Sequence, residues 1–360
     1  MKHLDEYRDR ELAQRIIERI HASSKKGIRI MEVCGTHTVS IFRNGIRDVL
    51  PSNIALISGP GCPVCVTATE EIDKSIKLSR EHDVIITTFG DLMRVPGSKS
   101  SLQKEKANGA DIRVVYSVSD AIKIASNNPQ KRVVFLGIGF ETTAPTIAAA
   151  VLEAKSEGIK NFFVLVLHKL IPPAMEALLS GGDLKIDGFM CPGHVTSIIG
   201  ASSYVPVTQR YHIPCVVAGF EPIDILQAIY MLVEQLEEGQ AQVEIQYKRG
   251  VTFEGNKNAM AIMERVFDRC DTVWRGLGVI SKSGFKLKVQ YREFAAEDSF
   301  DLSIPKAKEH PGCMCGEILR GVVTPAECPL FRRTCNPGHP VGPCMVSSEG
   351  TCAAYYKYQA

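Results

Sequence analysis

Two side chains that can bind a transition metal, Cys34 and His37, lie three residues apart in the segment Met-Glu-Val-Cys-Gly-Thr-His-Thr. An apolar run just before them predicts a β-strand, so the thiol and the imidazole lie on the loop where that strand ends. Functional residues of α/β proteins concentrate on such loops, because the strand ends hold them in place. Thiolate and imidazole are both suitable ligands for a metal ion. The alternative is a buried cysteine that packs as a small apolar side chain, beside a histidine bonded to a neighbouring loop.

A second pair of thiols, Cys62 and Cys65, lies in Gly-Pro-Gly-Cys-Pro-Val-Cys, just before a helix predicted from Thr67 to about Arg80. A helix N-terminus lowers the pKa of a thiol and makes it more reactive. The spacing therefore favours a redox-active dithiol or a transient metal contact. The alternative is half of a structural metal site, for which the nearby sequence offers no second half.

The largest group of cysteines lies near the C-terminus. It comprises Cys313, Cys315, Cys328, Cys335, Cys344 and Cys352. A paired zinc site needs two Cys-x-x-Cys pairs, and this segment has none. Thiolates without nearby paired histidines suit an iron–sulfur cluster, which needs four and would leave two as a redox pair. Spacing alone does not choose four of the six, and zinc or uncoordinated thiols remain the alternatives.

Two further polar residues follow predicted strands, Glu141 in Gly-Phe-Glu-Thr-Thr-Ala-Pro and His194 in Cys-Pro-Gly-His-Val. Glu141 is either an acid, base or supporting partner in a cleft, or part of a helix cap formed with Thr142 or Thr143. His194 is either a turn residue or a group that faces the cleft. Neither common glycine-rich phosphate loop occurs, so nucleotide binding has no positive support.

Short apolar runs alternate with helical segments from Ile28 to about Leu236, which predicts an α/β fold with parallel strands. The prediction is two similar parallel-sheet lobes, residues 25–128 and 129–240, whose loops meet in a cleft. One larger sheet is the alternative. The stretch Val95–Gly109, rich in Ser, Lys and Gly, is predicted as an exposed loop.

The chain changes character after about Gln240. Amphipathic strands are predicted at 243–247 and 286–291, and a helix at 258–267. From Pro305 the sequence is rich in Cys, Pro and Gly and has little core of its own, so it needs a metal centre to hold it together. Residues 241–360, joined by an N-terminal helix within 1–24 that has an apolar side over 4–22, are predicted to form an iron–sulfur domain.

Overall composition bounds the class of protein. The chain has 360 residues with a net charge of +2, which gives no broad electrostatic argument for nucleic acid or membrane binding. No apolar run approaches the roughly 20 residues of a membrane helix, and the N-terminus lacks an apolar signal core, so we expect a cytoplasmic protein. Twelve cysteines in a reducing compartment favour metal or redox chemistry over a disulfide framework.

Taken together, the motifs around Cys34, Cys62, Glu141 and His194, with Cys-Met-Val-Ser-Ser-Glu-Gly-Thr-Cys-Ala-Ala-Tyr-Tyr from Cys344, resemble the hydrogenase maturation family HypD. The resemblance spans nearly the whole chain. It implies an iron–sulfur scaffold that acts with the small partner HypC. On that scaffold iron receives carbon monoxide and cyanide, the latter from HypE with HypF upstream, and the Fe(CN)2CO unit then passes to the large subunit of a nickel–iron hydrogenase.

The resemblance also implies roles for individual residues. Cys34 would hold the transient iron, with His37 beside it, and Cys62 and Cys65 would form a redox-active dithiol in the same cleft. The C-terminal cysteines resemble those of ferredoxin–thioredoxin reductase. On that pattern the 4Fe-4S cluster ligands are Cys313, Cys328, Cys335 and Cys352, and the redox pair is Cys315 with Cys344.

Two other classes of function remain open. One is a stand-alone thiol oxidoreductase linked to an iron–sulfur cluster, and the other is a zinc-stabilised structural adaptor. Cys34 separates the first from the scaffold, since only a scaffold needs that residue to hold iron. The adaptor requires zinc in place of iron and sulfide.

Overall fold

Short strands and helices alternate along most of the chain in the computed structural model, which describes residues 7–182 and 185–359. The strands are β1 (Ile28–Glu32), β2 (Ile54–Ser58), β3 (Val84–Thr88), β4 (Ile112–Val114), β5 (Arg132–Gly137), β6 (Phe162–Val166), β7 (Gly188–Pro192), β8 (Cys215–Ala218), β9 (Val243–Ile245), β10 (Phe267–Trp274) and β11 (Gly278–Leu287). The helices of the first half are α1 (Arg10–Ser23), α2 (Gly35–Arg43), α3 (Ile46–Val49), α4 (Pro63–Val66), α5 (Thr69–Ser79), α6 (Leu102–Ala107), α7 (Val118–Asn127) and α8 (Ala144–Ser156). Those of the second half are α9 (Ile171–Gly181), α10 (Gly193–Ile199), α11 (Val205–Tyr211), α12 (Pro222–Glu238), α13 (Lys257–Val266), α14 (Ala296–Ser299), α15 (Cys315–Leu319), α16 (Pro343–Val346) and α17 (Thr351–Tyr358).

Two parallel sheets form the framework, which confirms the predicted α/β class. The five-stranded sheet has the order β2-β1-β7-β8-β9, and the four-stranded sheet has the order β4-β3-β5-β6. The strands β10 and β11 pair separately as an antiparallel ribbon. All five residues of β3 are buried, as expected for a strand covered by helices on both faces.

The membership of the sheets differs from the predicted segments. Strands β1 and β2 pair with β7 to β9, while β3 to β6 form a sheet of their own, so the second sheet is inserted within the first. The boundary predicted near residue 128 therefore falls between strands that belong to one sheet. Repeated strand–loop–helix units do not show in sequence which strands pair, because pairing across a long insertion has no local signal. The predicted domain limits remain predictions.

Several element boundaries also differ from the predictions. Helix α1 begins at Arg10, and the residues before Tyr7 that were assigned to it lie outside the described part. The stretch 95–109 contains helix α6, because Ser101 caps its N-terminus and Leu102 is fully buried. Strand β9 joins the five-stranded sheet as a parallel strand, so the change in character at about residue 240 does not mark the end of that sheet.

One continuous apolar cluster joins both parallel sheets to the cysteine-rich region. It includes Val33 after β1, Leu136 in β5, Trp274 in β10 and Cys344 in α16. The C-terminal segment, predicted to have little core of its own, therefore packs against the core of the sheets. No helix in the described ranges is long and apolar enough to cross a membrane.

Candidate functional site

The loops that follow β1 and β7 lie next to each other, at the carboxyl ends of these two neighbouring strands of the five-stranded sheet. From β1 the chain proceeds outward to β2, whereas from β7 it proceeds outward in the other direction to β8 and β9. In open α/β sheets ligands bind at the carboxyl ends of the strands where this reversal occurs. Cys34 follows β1 and His194 follows β7, so the topology places both at that position.

The loop of Cys34 and the loop of the Cys62–Cys65 pair are packed backbone against backbone. The amide of Gly35 donates to the carbonyl of Gly61 at 2.9 Å. A Cβ atom on Gly61 would overlap the backbone N and Cα of Cys34. Glycine at this position therefore allows the two cysteine loops to touch.

The cysteine-rich region covers the same loop from another side. A Cβ on Gly35 would overlap the backbone of Glu349, and the Thr36 hydroxyl donates to Oε1 of Glu349 at 2.8 Å. Glu349 lies in the segment between Cys344 and Cys352. The C-terminal region thus contributes directly to the surroundings of Cys34.

Burial controls the chemistry of the Cys34 thiol. The side chain is 8% exposed, and burial raises its pKa to about 12, with smaller contributions in the same direction from the carboxylates of Glu349 and Glu32. The backbone amides of Thr36 and His37, at the N-terminus of α2, act in the opposite direction. A metal ion bound by this thiol must therefore displace its proton.

His37 is held in one orientation by its surroundings. Its Nε2 lies 2.9 Å from the carbonyl of Gly219 and 3.3 Å from that of Ala218, and carbonyl oxygens only accept, so Nε2 carries the proton. Nδ1 is then an unprotonated acceptor, and it is buried without a partner in the part of the chain that the structure describes. Burial lowers the pKa of His37 to about 4, so the ring is neutral.

Phe220 links His37 to His194. Its ring stacks against both imidazoles, with centroid distances of 4.9 Å to His37 and 3.9 Å to His194. His194 itself is exposed, and partial desolvation lowers its pKa. The structure therefore brings both predicted histidines to the Cys34 loop, one buried and one open to solvent.

Cys62 and Cys65 form a disulfide, with their Cα atoms 5.2 Å apart. Both residues are almost completely buried. The sulfur of Cys65 lies 3.9 Å from the carbonyl oxygen of Pro343, the residue before Cys344. The pair is thus located between the Cys34 loop and the cysteine-rich region.

All six C-terminal cysteines line one small cavity, which we call the six-cysteine cavity. Its other walls are apolar and include Ile318, Leu330, Phe331 and Met345. The sulfurs of Cys315 and Cys344 are 2.8 Å apart. Within residues 7–182 and 185–359, no three Cys, His, Asp or Glu side chains are arranged to hold a metal ion. The cavity thus brings together more thiols than the four that an iron–sulfur cluster needs.

Glu141 occupies a different place. It follows β5 in the four-stranded sheet and lines a pocket with Pro172, Met263 and Arg269. Its Oε1 accepts a hydrogen bond from the amide of Ile171 at 3.0 Å. The described contacts therefore place this carboxyl in a pocket separate from the Cys34 loop, and its predicted role in chemistry remains a prediction.

Three residues near Cys34 were not predicted. Glu349 lies between two predicted cysteines, and Phe220 belongs to the second Gly-Phe-Glu sequence, a repeat that does signal its position after a strand. Glu32, fully buried two residues before Cys34, accepts from the Thr38 hydroxyl at 2.7 Å, and burial raises its pKa to about 7. A glutamate inside a strand gives no sequence signal that distinguishes it from a solvent-facing residue.

Comparison with known proteins supports one family. The sequence profile described as "HypD: Hydrogenase formation hypA family" matches residues 11–359. The chain is 47% identical over 368 residues to the hydrogenase maturation factor HypD of Cupriavidus necator, covering 99% of this chain and 97% of that protein. It is 45% identical over 369 residues to HypD of Escherichia coli, covering 100% and 98%. The hydrogenase expression/formation protein HupD of Azotobacter chroococcum is 47% identical over 367 residues, covering 99% and 97%.

Proposed function

Because this chain belongs to the HypD family of hydrogenase formation proteins, we propose that it holds iron on Cys34 during hydrogenase maturation. Carbon monoxide and cyanide would be assembled on that iron for a nickel–iron hydrogenase. The observation that carries the proposal is the meeting of three segments at one place. The Cys34 loop is in direct contact with the Cys62–Cys65 loop and with Glu349 of the cysteine-rich region.

The surroundings of Cys34 suit an iron ion that carries reactive ligands. A thiolate is a suitable anchor for low-spin Fe(II), and burial keeps water away from it. His37 contributes a neutral ring whose free Nδ1 can accept a hydrogen bond or bind the ion. These features support a role for both residues in holding the iron substrate, at the carboxyl ends of β1 and β7.

The six-cysteine cavity would hold a 4Fe-4S cluster. We assign its ligands to Cys313, Cys328, Cys335 and Cys352, and such a cluster supplies electrons one at a time. The remaining pair, Cys315 and Cys344, has its sulfurs 2.8 Å apart, and we assign it as a dithiol/disulfide couple by the family resemblance, because Cys315 also contacts Cys313 and Cys344 also contacts Cys352.

Helix α4, which carries Cys65, packs against helix α16, which carries Cys344, and we propose that the two cysteine pairs exchange electrons. In the proposed step, one thiolate of the Cys315–Cys344 pair attacks the Cys62–Cys65 disulfide and forms a mixed disulfide. The second thiolate of the same pair then attacks its neighbour's sulfur in this mixed disulfide, and the remaining cysteine of the Cys62–Cys65 pair leaves as a thiolate. Two electrons and two protons pass to Cys62 and Cys65, and Cys315 becomes bonded to Cys344. The contact between Cys65 and Pro343, the residue before Cys344, supports exchange between these two pairs.

Partners follow from the family. We propose that HypC binds together with this chain around the iron, that HypE delivers the cyanide made with HypF, and that the hydrogenase large subunit receives the product. The stand-alone thiol oxidoreductase is less consistent with the packing. Cys62 is 3% exposed and Cys65 is fully buried, so a disulfide on another folded protein cannot reach them directly.

The test compares Cys34→Ala with Cys270→Ala, a change at a half-buried thiol on β10 that the proposal does not use. Both proteins are purified without oxygen in complex with HypC. We expect Cys34→Ala to retain the iron and acid-labile sulfide of the cluster and to lose the infrared bands of bound cyanide and carbon monoxide. Cys270→Ala should retain both. Bands of normal intensity in Cys34→Ala would refute the proposal, and zinc without sulfide in the unmodified chain would refute the cluster assignment.

A further inference from the structure

A pocket of about 350 Å³ lies at the carboxyl ends of β5 and β6 in the four-stranded sheet. The residues that matter for its chemistry are Glu141, Met260, Met263, Phe267, Arg269 and Phe285. None of the twelve cysteines belongs to its lining, so it is separate from the site proposed above. Binding residues of α/β proteins often lie on the loops that follow such strands.

Glu141 lines this pocket, and one of its carboxyl oxygens lacks a donor among the described residues. The residue is 3% exposed, and only Oε1 has a hydrogen bond, from the amide of Ile171. Oε2 is buried and has no partner among the described residues. Burial of a carboxylate oxygen without a hydrogen-bond donor costs several times the free energy that an ordinary surface contact contributes. Such an oxygen therefore marks a place where a donor is expected to bind.

Arg269 provides the opposite charge at the rim. It is exposed on β10, where its backbone lies opposite Phe285, and its guanidinium has no hydrogen bond or ion pair within the described ranges. It is close enough to Glu141 that its charge lowers the carboxyl pKa, against the larger effect of burial. The pocket lining therefore includes a buried acceptor without a donor among the described residues and an exposed cation.

The walls between these two groups are apolar. Met260 and Met263 extend from α13, and Phe267 and Phe285 come from the ribbon of β10 and β11. A mostly apolar cavity of a few hundred Å³ with a few well-placed polar groups is typical of a small-molecule site. Methionine side chains adapt readily to the shape of an apolar ligand.

We propose that this pocket binds an apolar α-amino acid. The ammonium group would donate to Oε2 of Glu141, the carboxylate would face Arg269, and the apolar side chain would lie between the methionines and phenylalanines. An uncharged apolar ligand would leave Oε2 without a donor, and a simple acid would bring two carboxyl groups together.

Isothermal titration calorimetry on the full chain tests the proposal, with L-methionine and L-phenylalanine as probes. Phenethylamine lacks the carboxylate, and N-acetyl-L-methionine lacks the ammonium charge. We expect saturable binding of the amino acids, with each altered probe weaker by about tenfold or more, because one charge-assisted contact is lost. Absence of saturation up to about 10 mM would overturn the proposal, and equal affinity for phenethylamine would overturn the amino-acid class.

Variants identify the contacts. Glu141→Gln should weaken binding of both amino acids by about tenfold or more, and Arg269→Gln should weaken them to the level of phenethylamine. Glu157→Gln is the matched control and should leave binding unchanged, because it removes an exposed carboxylate that is not part of the pocket lining. If Glu141→Gln fails to fold by circular dichroism, Ser203→Trp is used to fill the pocket from its wall and should abolish binding. Unchanged binding in a folded Glu141→Gln or in Ser203→Trp would overturn the proposal.

Discussion

Replacement of Gly61 by alanine should separate the two cysteine loops at the candidate iron site. The added Cβ would overlap the backbone N and Cα of Cys34, and backbone atoms cannot rotate away as the end of a side chain can. Gly61 does not have a positive φ, so the change introduces no conformational strain of its own. Its whole effect should come from the clash between the loops.

Overpacking of this kind costs about 1–3 kcal/mol of unfolding free energy when the surroundings shift to accept it. Because the two loops are in backbone contact, the clash can be relieved only if the Cys34 loop or the Cys62–Cys65 loop moves. We therefore expect Gly61→Ala to lower stability by that amount. In the complex with HypC it should also reduce the infrared bands of iron-bound cyanide and carbon monoxide, while cluster iron and sulfide remain.

Gly27→Ala is the matched control. Gly27 precedes β1, its Cβ would have no atom within 4 Å, and its φ is not positive. Stability should change by less than about 0.5 kcal/mol, as for ordinary surface substitutions. If Gly61→Ala behaves like Gly27→Ala in denaturant unfolding and in the infrared bands, close packing of the two loops does not matter to iron handling. That result would refute the reasoning.

Three further changes test other parts of the structure. Glu349→Gln removes a carboxylate that raises the pKa of Cys34, so the rate of Cys34 alkylation in iron-free protein should rise at lower pH; an unmoved profile would contradict this contact. His168 is buried, and its pKa is lowered to about 3, mainly by burial, so the folded protein favours the neutral ring. The resulting stability of the folded protein is fully present above the ordinary histidine pKa of about 6.5 and is lost as the pH falls below it. His168→Phe should therefore remove about 1.4 kcal/mol of the stability lost between about pH 7.5 and 5.5, and an equally steep loss in the variant would disprove the assignment. Lys169 is fully buried, and its Nζ lies 2.6 Å from Oε1 of Glu71, so Lys169→Met should lower the unfolding free energy of the protein by about 3–5 kcal/mol. Adding Glu71→Gln should restore most of that loss, because it removes the unpaired charge. No recovery in the double variant would exclude an unpaired charge as the cause.

The residues of the candidate site were largely accessible to sequence reasoning because cysteine and histidine are chemically distinctive. Cys34, His37 and His194 all follow strands, and the structure brings their loops together through neighbouring β1 and β7. Glu141 was grouped with them because it also follows a strand. Glu141 lies away from the Cys34 loop because β5 belongs to the other sheet. Long-range pairing decides to which sheet a strand belongs.

The lack of a local signal for long-range strand pairing also explains the errors in the predicted fold. Alternating apolar runs predict parallel strands, but β1 and β7 are separated by a complete sheet of four other strands. Their pairing depends on the burial of facing side chains, such as Met31 and Phe189, and not on any signal near either strand. Glu32 shows the limit at a single residue, since it alone in β1 is acidic and yet it is completely buried.

The inserted sheet has a consequence for function. Because the chain leaves the five-stranded sheet after β2 and returns at β7, Cys34 and Cys62 are fixed by strands of one sheet. The segments that cover them come from elsewhere: Glu349 lies near the C-terminus, and Arg275, on the loop between β10 and β11, donates its amide to the carbonyl of Val66. The thiols and the groups around them are thus brought together only when distant parts of the chain have folded. The arrangement that we propose to hold iron is therefore complete only in the folded protein.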